Sequence, residues 1–357
     1  MHGVGVRSPK SQAKGQNAGV PWQRCTGENS PRQHDLDRVP RVFLSRQPVQ
    51  PGHPCFVRGA NYSTERESLP SIIFAMTQEK PTSLPRYARV LSIAGSDSGG
   101  GAGIQADLKT FSALGCYGMT AITAITAQNT QGVRGIHGIP PDMLRAQIDA
   151  VVEDIGVDAV KIGMLASPEV VQVVADAIRR HQLPHVVLDP VMVATSGDRL
   201  IAQETVAVLV RDLFPLAEVV TPNLDEAALL LGQPIGGIAA LDDAARGLLA
   251  LGARAALLKG GHLPGDEVVD VLALPDGRLT RLGSARIATH NGHGTGCTLS
   301  SAIAAHLALG HALPEAVARA RAYILGAIEA GAAVRTGHGH GPLNHGYAPV
   351  AQVVLSV

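Results

Sequence analysis

From residue 89 onward, short β-branched and aliphatic runs alternate with longer amphipathic stretches, and that alternation restricts the chain to an α/β fold. The runs expected as strands are 90–94, 118–124, 159–162, 185–188, 219–221 and 255–258. A weaker pair, 268–274 and 279–286, reads as a hairpin turning at Pro275-Asp276-Gly277. Helices are expected over 103–114, 141–154, 168–181, 203–214, 224–231, 242–251, 298–309 and 314–333. The strand runs are nearly continuous in apolar residues, as in a mostly parallel central sheet covered by helices on both faces. In such sheets ligands gather at the carboxyl ends of the strands. Nearly every distinctive motif of this chain falls at a strand-to-helix junction.

The 357 residues are 45% hydrophobic, enough to bury a large core, and carry no formal net charge. Residues 1–75 hold 10 Lys+Arg against 5 Asp+Glu, leaving 20 against 25 for the remainder. A mildly acidic body with 3% aromatics lacks the basic field and stacking platforms of a nucleic-acid binder. No apolar run approaches the ~20 residues that span a bilayer. The four cysteines, Cys25, Cys55, Cys116 and Cys297, show neither CxxC pairing nor disulfide-framework spacing, and a reducing cytoplasm is expected. Residues 1–85 are rich in Pro, Gly, Gln, Ser and Arg and hold the single tryptophan, Trp22. They are expected to be a disordered N-terminal extension. Met76 opens an ordinary polar start shortly before the first strand, so residues 1–75 are read as an upstream extension, with a mis-assigned start as one origin.

The segment Thr289-His290-Asn291-Gly292-His293-Gly294-Thr295-Gly296-Cys297-Thr298 runs a glycine-rich turn into an apolar, alanine-rich helix. Gly294 and Gly296 let backbone approach a ligand closely, and the free N–H groups and dipole of the helix that follows favour an anion such as a phosphate in transit. Cys297 sits in the first turn, where the same geometry is expected to lower a thiol's pKa and make it a candidate base or nucleophile. The alternative is a loop that merely caps a packed helix, with Cys297 as a small buried apolar residue.

Other junctions carry further candidates. The run Ala94-Gly95-Ser96-Asp97-Ser98-Gly99-Gly100-Gly101-Ala102-Gly103-Ile104-Gln105-Ala106-Asp107 has neither dinucleotide nor Walker A spacing. What remains is a flexible loop able to lie against a flat ligand, and the carboxylate of Asp107, which on pattern alone reads first as a solvated helix acid. In Thr126-Ala127-Gln128-Asn129-Thr130, expected to follow the second strand, Gln128 offers an acceptor and two donors, a match for the amino group and ring nitrogen of an aminopyrimidine or simply a loop-stabilising amide. Lys161-Ile162-Gly163-Met164-Leu165 ends a strand with a soft thioether that either walls a heteroaromatic ring or fills core.

Asp189, at the end of the buried run Val187-Leu188, needs a partner or a cation. Asn223 and Glu226, three apart in Thr221-Pro222-Asn223-Leu224-Asp225-Glu226-Ala227, form a capping-box pattern or organise Mg²⁺ through metal-bound water. Lys259 in Leu258-Lys259-Gly260-Gly261-His262 either reaches a nucleotide's phosphates or is an ordinary solvated lysine. In Gly337-His338-Gly339-His340-Gly341-Pro342-Leu343-Asn344-His345, glycines leave the histidines unheld and no carboxylate or cysteine joins them, which argues against a metal site.

Together, the six motifs at 94–107, 127–130, 161–165, 221–227, 259–262 and 293–297 resemble the hydroxymethylpyrimidine/phosphomethylpyrimidine kinases of thiamine biosynthesis, within the ribokinase-like superfamily. The resemblance covers roughly residues 89–347 and implies a single ribokinase-like domain over 86–357. It implies two successive ATP-dependent phosphorylations, of 4-amino-5-hydroxymethyl-2-methylpyrimidine and then of its monophosphate. On the positions that match, Gln128, Ala102, Asp107, Met164 and Val191 resemble the substrate set. Lys259, Asn223 and Glu226 resemble the ATP set, with Asp189 and Glu226 toward Mg²⁺. Gly294, Thr295 and Gly296 resemble the anion hole, and Cys297 stands where sugar kinases of the superfamily carry an aspartate base. A cytoplasmic homodimer is the implied assembly. The rival expectations are a pyridoxal-type kinase on the same fold and a non-catalytic pyrimidine sensor, against which the intact Lys259, Glu226 and Gly-Thr-Gly-Cys set argues.

Overall fold

The computed structural model describes residues 84–192 and 201–356. The disorder expected over residues 1–85 therefore falls almost wholly outside the described residues. In chain order the strands are β1 (Arg86–Tyr87), β2 (Arg89–Asp97), β3 (Tyr117–Asn129), β4 (Gly132–Gly138), β5 (Ala159–Ile162), β6 (Val186–Leu188), β7 (Val219–Val220), β8 (Ala256–Leu258), β9 (Glu267–Ala273), β10 (Leu279–Ala285) and β11 (Val354–Leu355). The helices are α1 (Gly103–Ala113), α2 (Pro141–Asp154), α3 (Pro168–His181), α4 (Gln203–Asp212), α5 (Leu224–Leu231), α6 (Leu241–Ala250), α7 (Thr295–Ala308) and α8 (Leu313–Gly331).

Nine strands form one sheet in the order β10-β9-β8-β7-β6-β5-β2-β3-β4, parallel from β8 through β3 and antiparallel at both edges. The α/β fold with a mostly parallel sheet is thus as expected. Each inner strand is apolar on both faces because successive side chains point to opposite sides. Leu91, Ile93, Val160, Ile162 and Leu188 face one core, built with α2 to α6. Val90, Ala159, Val187, Val219 and Leu257 face the other, built with α1, α7 and α8.

The chain leaves β2 toward β3 on one side and later returns as β5 on the other, so the sheet reverses its winding at β2. Crevices open at the carboxyl ends of strands beside such a point. The strand ends there carry Asp97, Met164, Asp189, Asn223 and Lys259.

Two features differ from the sequence expectation. β3 runs on through Gln128 to Asn129, where 126–130 had read as a loop, because β4 pairs with its far end. Strand β4 is largely exposed, and without a buried face it shows no apolar alternation in sequence. Its turn is closed by Asn129 Oδ1, which accepts from Gln131 N at 2.9 Å. Helix α7 begins at Thr295, one turn before the expected 298, because Gly294 at φ +87° serves as its N-cap. Residues Thr298 through Ala308 of α7 are buried all round, as a helix at the centre of a large domain must be.

Candidate active site

A cavity of about 340 Å³ opens over the carboxyl ends of β2, β5, β6 and the loops after β7 and β8. Ala102, Gln128, Met164 and Val191 line it, as do Gly294, Thr295, Gly296 and Cys297. Asp189, Asn223, Glu226 and Lys259 line it too. Of the residues singled out in sequence, Asp107 alone does not line the cavity. Its carboxylate is fully buried, which also excludes the solvated-acid reading, and meets the cavity through Lys161.

That ion pair is the deepest polar feature of the site. Lys161 Nζ donates to both oxygens of Asp107 at 2.9 Å, while Ser92 and Ser301 donate at 2.6 and 2.7 Å. Burial works against the Lys161 charge, but the Asp107 carboxylate outweighs it and keeps the ammonium above its ordinary pKa. A charge on a buried strand is tolerated only with such a partner. Lys161 lay inside a recognised motif, yet nothing local to a strand lysine says where its partner lies.

The glycine-rich loop before α7 rests directly on the loop after β2. A Cβ on Gly294 would overlap the Gly101 carbonyl oxygen, and one on Gly101 would collide with the His293 ring. The loop after β2 is itself wrapped around Asp97, whose carboxylate accepts from Gly99 N at 2.8 Å, Gly101 N at 3.1 Å and Ala102 N at 2.8 Å. His293 Nε2 lies 2.9 Å from Asp97 Oδ2. Although burial opposes ionisation, these bonds, the one from His293 foremost, hold the Asp97 carboxyl below its usual range. Sequence reasoning passed over Asp97 and His293 because their pairing spans 196 residues.

Cys297 departs from its expected state. Burial pushes its thiol up to about 11; Lys161 opposes this, and the charges of Asp107 and Asp189 add to it. The helix N-terminus that was expected to lower the thiol's pKa is outweighed by the loss of water and two nearby carboxylates.

Beside Gly296, Asp189 Oδ1 accepts from Lys259 Nζ at 2.8 Å and from Thr221 Oγ1 at 3.1 Å, and Ser300 Oγ lies 3.4 Å from Oδ2. Asn223 and Glu226 do form the capping box: Glu226 N donates to Asn223 Oδ1 at 3.0 Å, and Asn223 N donates to Glu226 Oε2 at 2.8 Å. Glu226 is nonetheless buried at the cavity, and its carboxyl is pushed up to about 7, by burial first and by Asp189, with Lys259 pulling the other way. Two buried carboxylates facing one ammonium form an oxygen-donor set with spare negative charge, which is chemistry that suits a hard divalent cation such as Mg²⁺.

In the C-terminal histidine run the glycines and His345 are packed, while His338 and His340 are exposed. Gly337 and Gly339 pack on Thr130 and Gly341 on Asn291, each so tightly that a Cβ would collide. His345 is buried 3.0 Å from Thr298 Oγ1. Among the described residues, the grouping with metal-ligand spacing is Asp149, Glu153 and His181, which includes none of these histidines.

The sequence profile of the phosphomethylpyrimidine kinase family matches residues 97–344, more than two-thirds of the chain. The chain belongs to this family. As a phosphomethylpyrimidine kinase family member it is a phosphotransferase, and it is 54% identical over 259 residues to the hydroxymethylpyrimidine/phosphomethylpyrimidine kinase of Rhizobium meliloti, covering 72% of this chain and 97% of that one. Among solved structures, a phosphomethylpyrimidine kinase from Clostridium difficile matches with a TM-score of 0.60 at 44% identity, covering 67% of this chain and 99% of that one. An ADP complex of Bacillus subtilis pyridoxal kinase matches with a TM-score of 0.67 at 39% identity, covering 73% and 98%.

This kinase has a second lobe of about 300 Å³ that shares Asn223, Lys259, His262, Thr295 and Gly296 with the first. It is walled by apolar residues, among them Val268, Ile287, Leu299, Ile324 and Ile328. At its side Arg321 Nε donates to Asp270 Oδ2 at 2.7 Å, and Gly260 N donates to Asp270 Oδ1 at 2.8 Å, anchoring the backbone next to Lys259. In sequence these apolar positions were indistinguishable from core, so the lobe was not anticipated.

Proposed function

We propose that this kinase transfers the γ-phosphoryl group of ATP to the hydroxymethyl oxygen of 4-amino-5-hydroxymethyl-2-methylpyrimidine, and then a second one to the resulting monophosphate, giving the pyrophosphate ester used for thiamine diphosphate. The observation that carries this reading is the lining of one cavity: the Gln128 amide, the Lys259 ammonium and the glycine-rich N-terminus of α7 all border it.

On this reading Gln128 pairs with the aminopyrimidine edge. Met164, Val191 and Ala102 sandwich the ring, and Asp107 supports that wall through Lys161. The apolar second lobe takes the nucleoside, and Lys259 neutralises its phosphates with Asn223 alongside. Asp189 and Glu226 would hold Mg²⁺, directly or through water, and the bound ion would offset charge on the phosphates. The transferred group rests on the backbone N–H groups of Gly294, Thr295 and Gly296, where positioned dipoles stabilise the charge that develops. The hydroxymethyl oxygen forms the new P–O bond, the bond to ADP breaks, and the hydroxyl proton leaves toward Cys297 or solvent. In the second round the phosphate oxygen of the monophosphate is the nucleophile.

Pairing of β1 with β11 ties residues 86–87 to 354–355, which supports a kinase domain over 86–357 with residues 1–85 outside it. The family resemblance supports a cytoplasmic homodimer, and among the described residues no helix is long and apolar enough to cross a membrane.

The full chain is to be assayed for ATP consumption with the aminopyrimidine, its monophosphate and pyridoxal offered separately, recording product masses. Conversion of the first two to the pyrophosphate is expected. The likeness to a pyridoxal kinase supports pyridoxal as the second reading, and turnover of pyridoxal alone would reassign the enzyme to it.

A further inference from the structure

The hydrogens available around Gln128 constrain how its amide can stand. His293 Nε2 lies 2.9 Å from Asp97 Oδ2, a carboxylate oxygen that only accepts, so that nitrogen carries the hydrogen. The same nitrogen lies 3.4 Å from Gln128 Nε2, and two donors facing each other repel. On the other side, Thr126 Oγ1 lies 2.7 Å from the Ser96 carbonyl oxygen and 3.2 Å from Gln128 Oε1. Its one hydrogen goes to the nearer carbonyl, which leaves the hydroxyl oxygen an acceptor toward Gln128. A half-turn of the amide resolves both conflicts at once. The amide nitrogen then donates to Thr126, and its oxygen stands 3.4 Å from a His293 nitrogen whose hydrogen goes chiefly to Asp97, which removes the donor–donor repulsion. Thr126 and His293 are both largely buried at the wall of the cavity, where these are their hydrogen-bond neighbours.

We propose that Thr126 and the His293–Asp97 pair together lock the Gln128 amide in this orientation, and so make them the residues that set substrate specificity through Gln128. One N–H and one oxygen lone pair are left facing the cavity in fixed order. That order matches the adjacent ring nitrogen and amino group of an aminopyrimidine in a single sense, which also fixes which way the hydroxymethyl group points. A ring without the amino group leaves the locked oxygen unpaired, and a site built around a hydrogen bond rejects an analogue that lacks it strongly. The same histidine belongs to the anion loop, its N donating to Gly341 O at 3.1 Å, so the ring-reading end and the phosphate-binding end are held in one register.

This inference rests on the proposed aminopyrimidine substrate, and its test separates the two. Calorimetry on the full chain would give dissociation constants for 4-amino-5-hydroxymethyl-2-methylpyrimidine, for its analogue lacking the 4-amino group, and for a non-hydrolysable ATP analogue. His293→Leu is expected to cut the preference for the amino compound about tenfold, a larger change than in its affinity for the ATP analogue. His293→Gln, whose amide N–H stands near the imidazole's, is expected to restore most of the preference. Thr126→Val, nearly isosteric, is expected to act in the same direction and decides the matter if His293→Leu does not fold. Weakening of both pyrimidines alike, with the preference unchanged, would overturn the inference and leave a purely structural role. A wild-type protein that does not prefer the amino compound overturns the proposed substrate itself.

Discussion

Gly294 and Gly101 meet backbone to backbone, with no room for a Cβ on Gly294 beside the Gly101 carbonyl oxygen. Gly294 also holds φ at +87°, a region that side chains rarely enter. Steric exclusion and conformation therefore both demand glycine at the cap of α7. Gly294→Ala is expected to lower kcat/KM by at least a hundredfold, the order lost when one preorganised donor is displaced. Gly296→Ala serves as the comparison: its Cβ would stand 3.1 Å from Lys259 Nζ and 3.4 Å from Asp189 Oδ2. That variant should fold normally and fail chiefly by a raised KM for ATP. Steady-state kinetics of the two variants side by side checks the distinction, and equal defects in both parameters would contradict it.

The buried Lys161–Asp107 pair predicts an asymmetry between single and double substitutions. Lys161→Met leaves a carboxylate with no access to water and only two serine donors, and is expected to destabilise the protein by about 3–5 kcal/mol. Lys161→Met combined with Asp107→Asn removes both charges and keeps an oxygen for the serines. The double variant should recover more than half of the loss. Urea unfolding of wild type, Lys161→Met, Asp107→Asn and the double variant measures the coupling; additive losses would mean that the pair does not act as a unit.

The inner strands were legible in sequence because burial on both faces leaves unbroken apolar runs, and α5 was legible because Asn223 and Glu226 form the capping box that their spacing suggests. The edge strand β4 was not, since an exposed strand has no apolar signature. Within the site, residues on contiguous motifs such as Gly294, Gln128 and Lys259 could be singled out locally. Asp97 and His293 could not be joined from sequence, because the partnership depends on two loops being folded against each other. The state of Cys297 failed for the opposite reason. Its helix N-terminus was visible locally, but the desolvation and the carboxylates that outweigh it belong to the tertiary structure.

Two buried histidines predict acid lability. Burial pushes His345 down to about 4, with the charge of Lys109 adding to it, and pushes His306 down to about 4, with His311 and Arg319 adding. Between the ordinary value of 6.5 and about 4 the unfolded chain binds these protons and the folded chain does not. Stability contributed by neutral histidine is therefore complete above 6.5 and is lost as pH falls through that window. His345→Gln keeps a polar partner for Thr298 and should flatten the loss, by roughly 2 kcal/mol relative to wild type between pH 7 and 4.5. Unfolding free energies of ligand-free protein at four pH values test this; parallel curves for the two proteins would remove His345 from the account.

Cys297 sets the last prediction. With its thiol pushed up to about 11, the ligand-free enzyme at neutral pH holds almost no thiolate, so alkylation by iodoacetamide should be slow at pH 7 and climb steadily to pH 10. If this group takes the proton from the substrate hydroxyl, kcat should climb over the same range, because the fraction of competent base grows with pH. Cys297→Ala would then lose more than about tenfold in kcat, near 1.4 kcal/mol, together with the alkaline climb. Retention of more than a tenth of kcat, with the pH profile unchanged, would assign Cys297 to positioning alone. Phosphoryl transfer would then be driven by the dipoles of the anion loop and by charge neutralisation, and the proton would leave to solvent or phosphate late in the reaction.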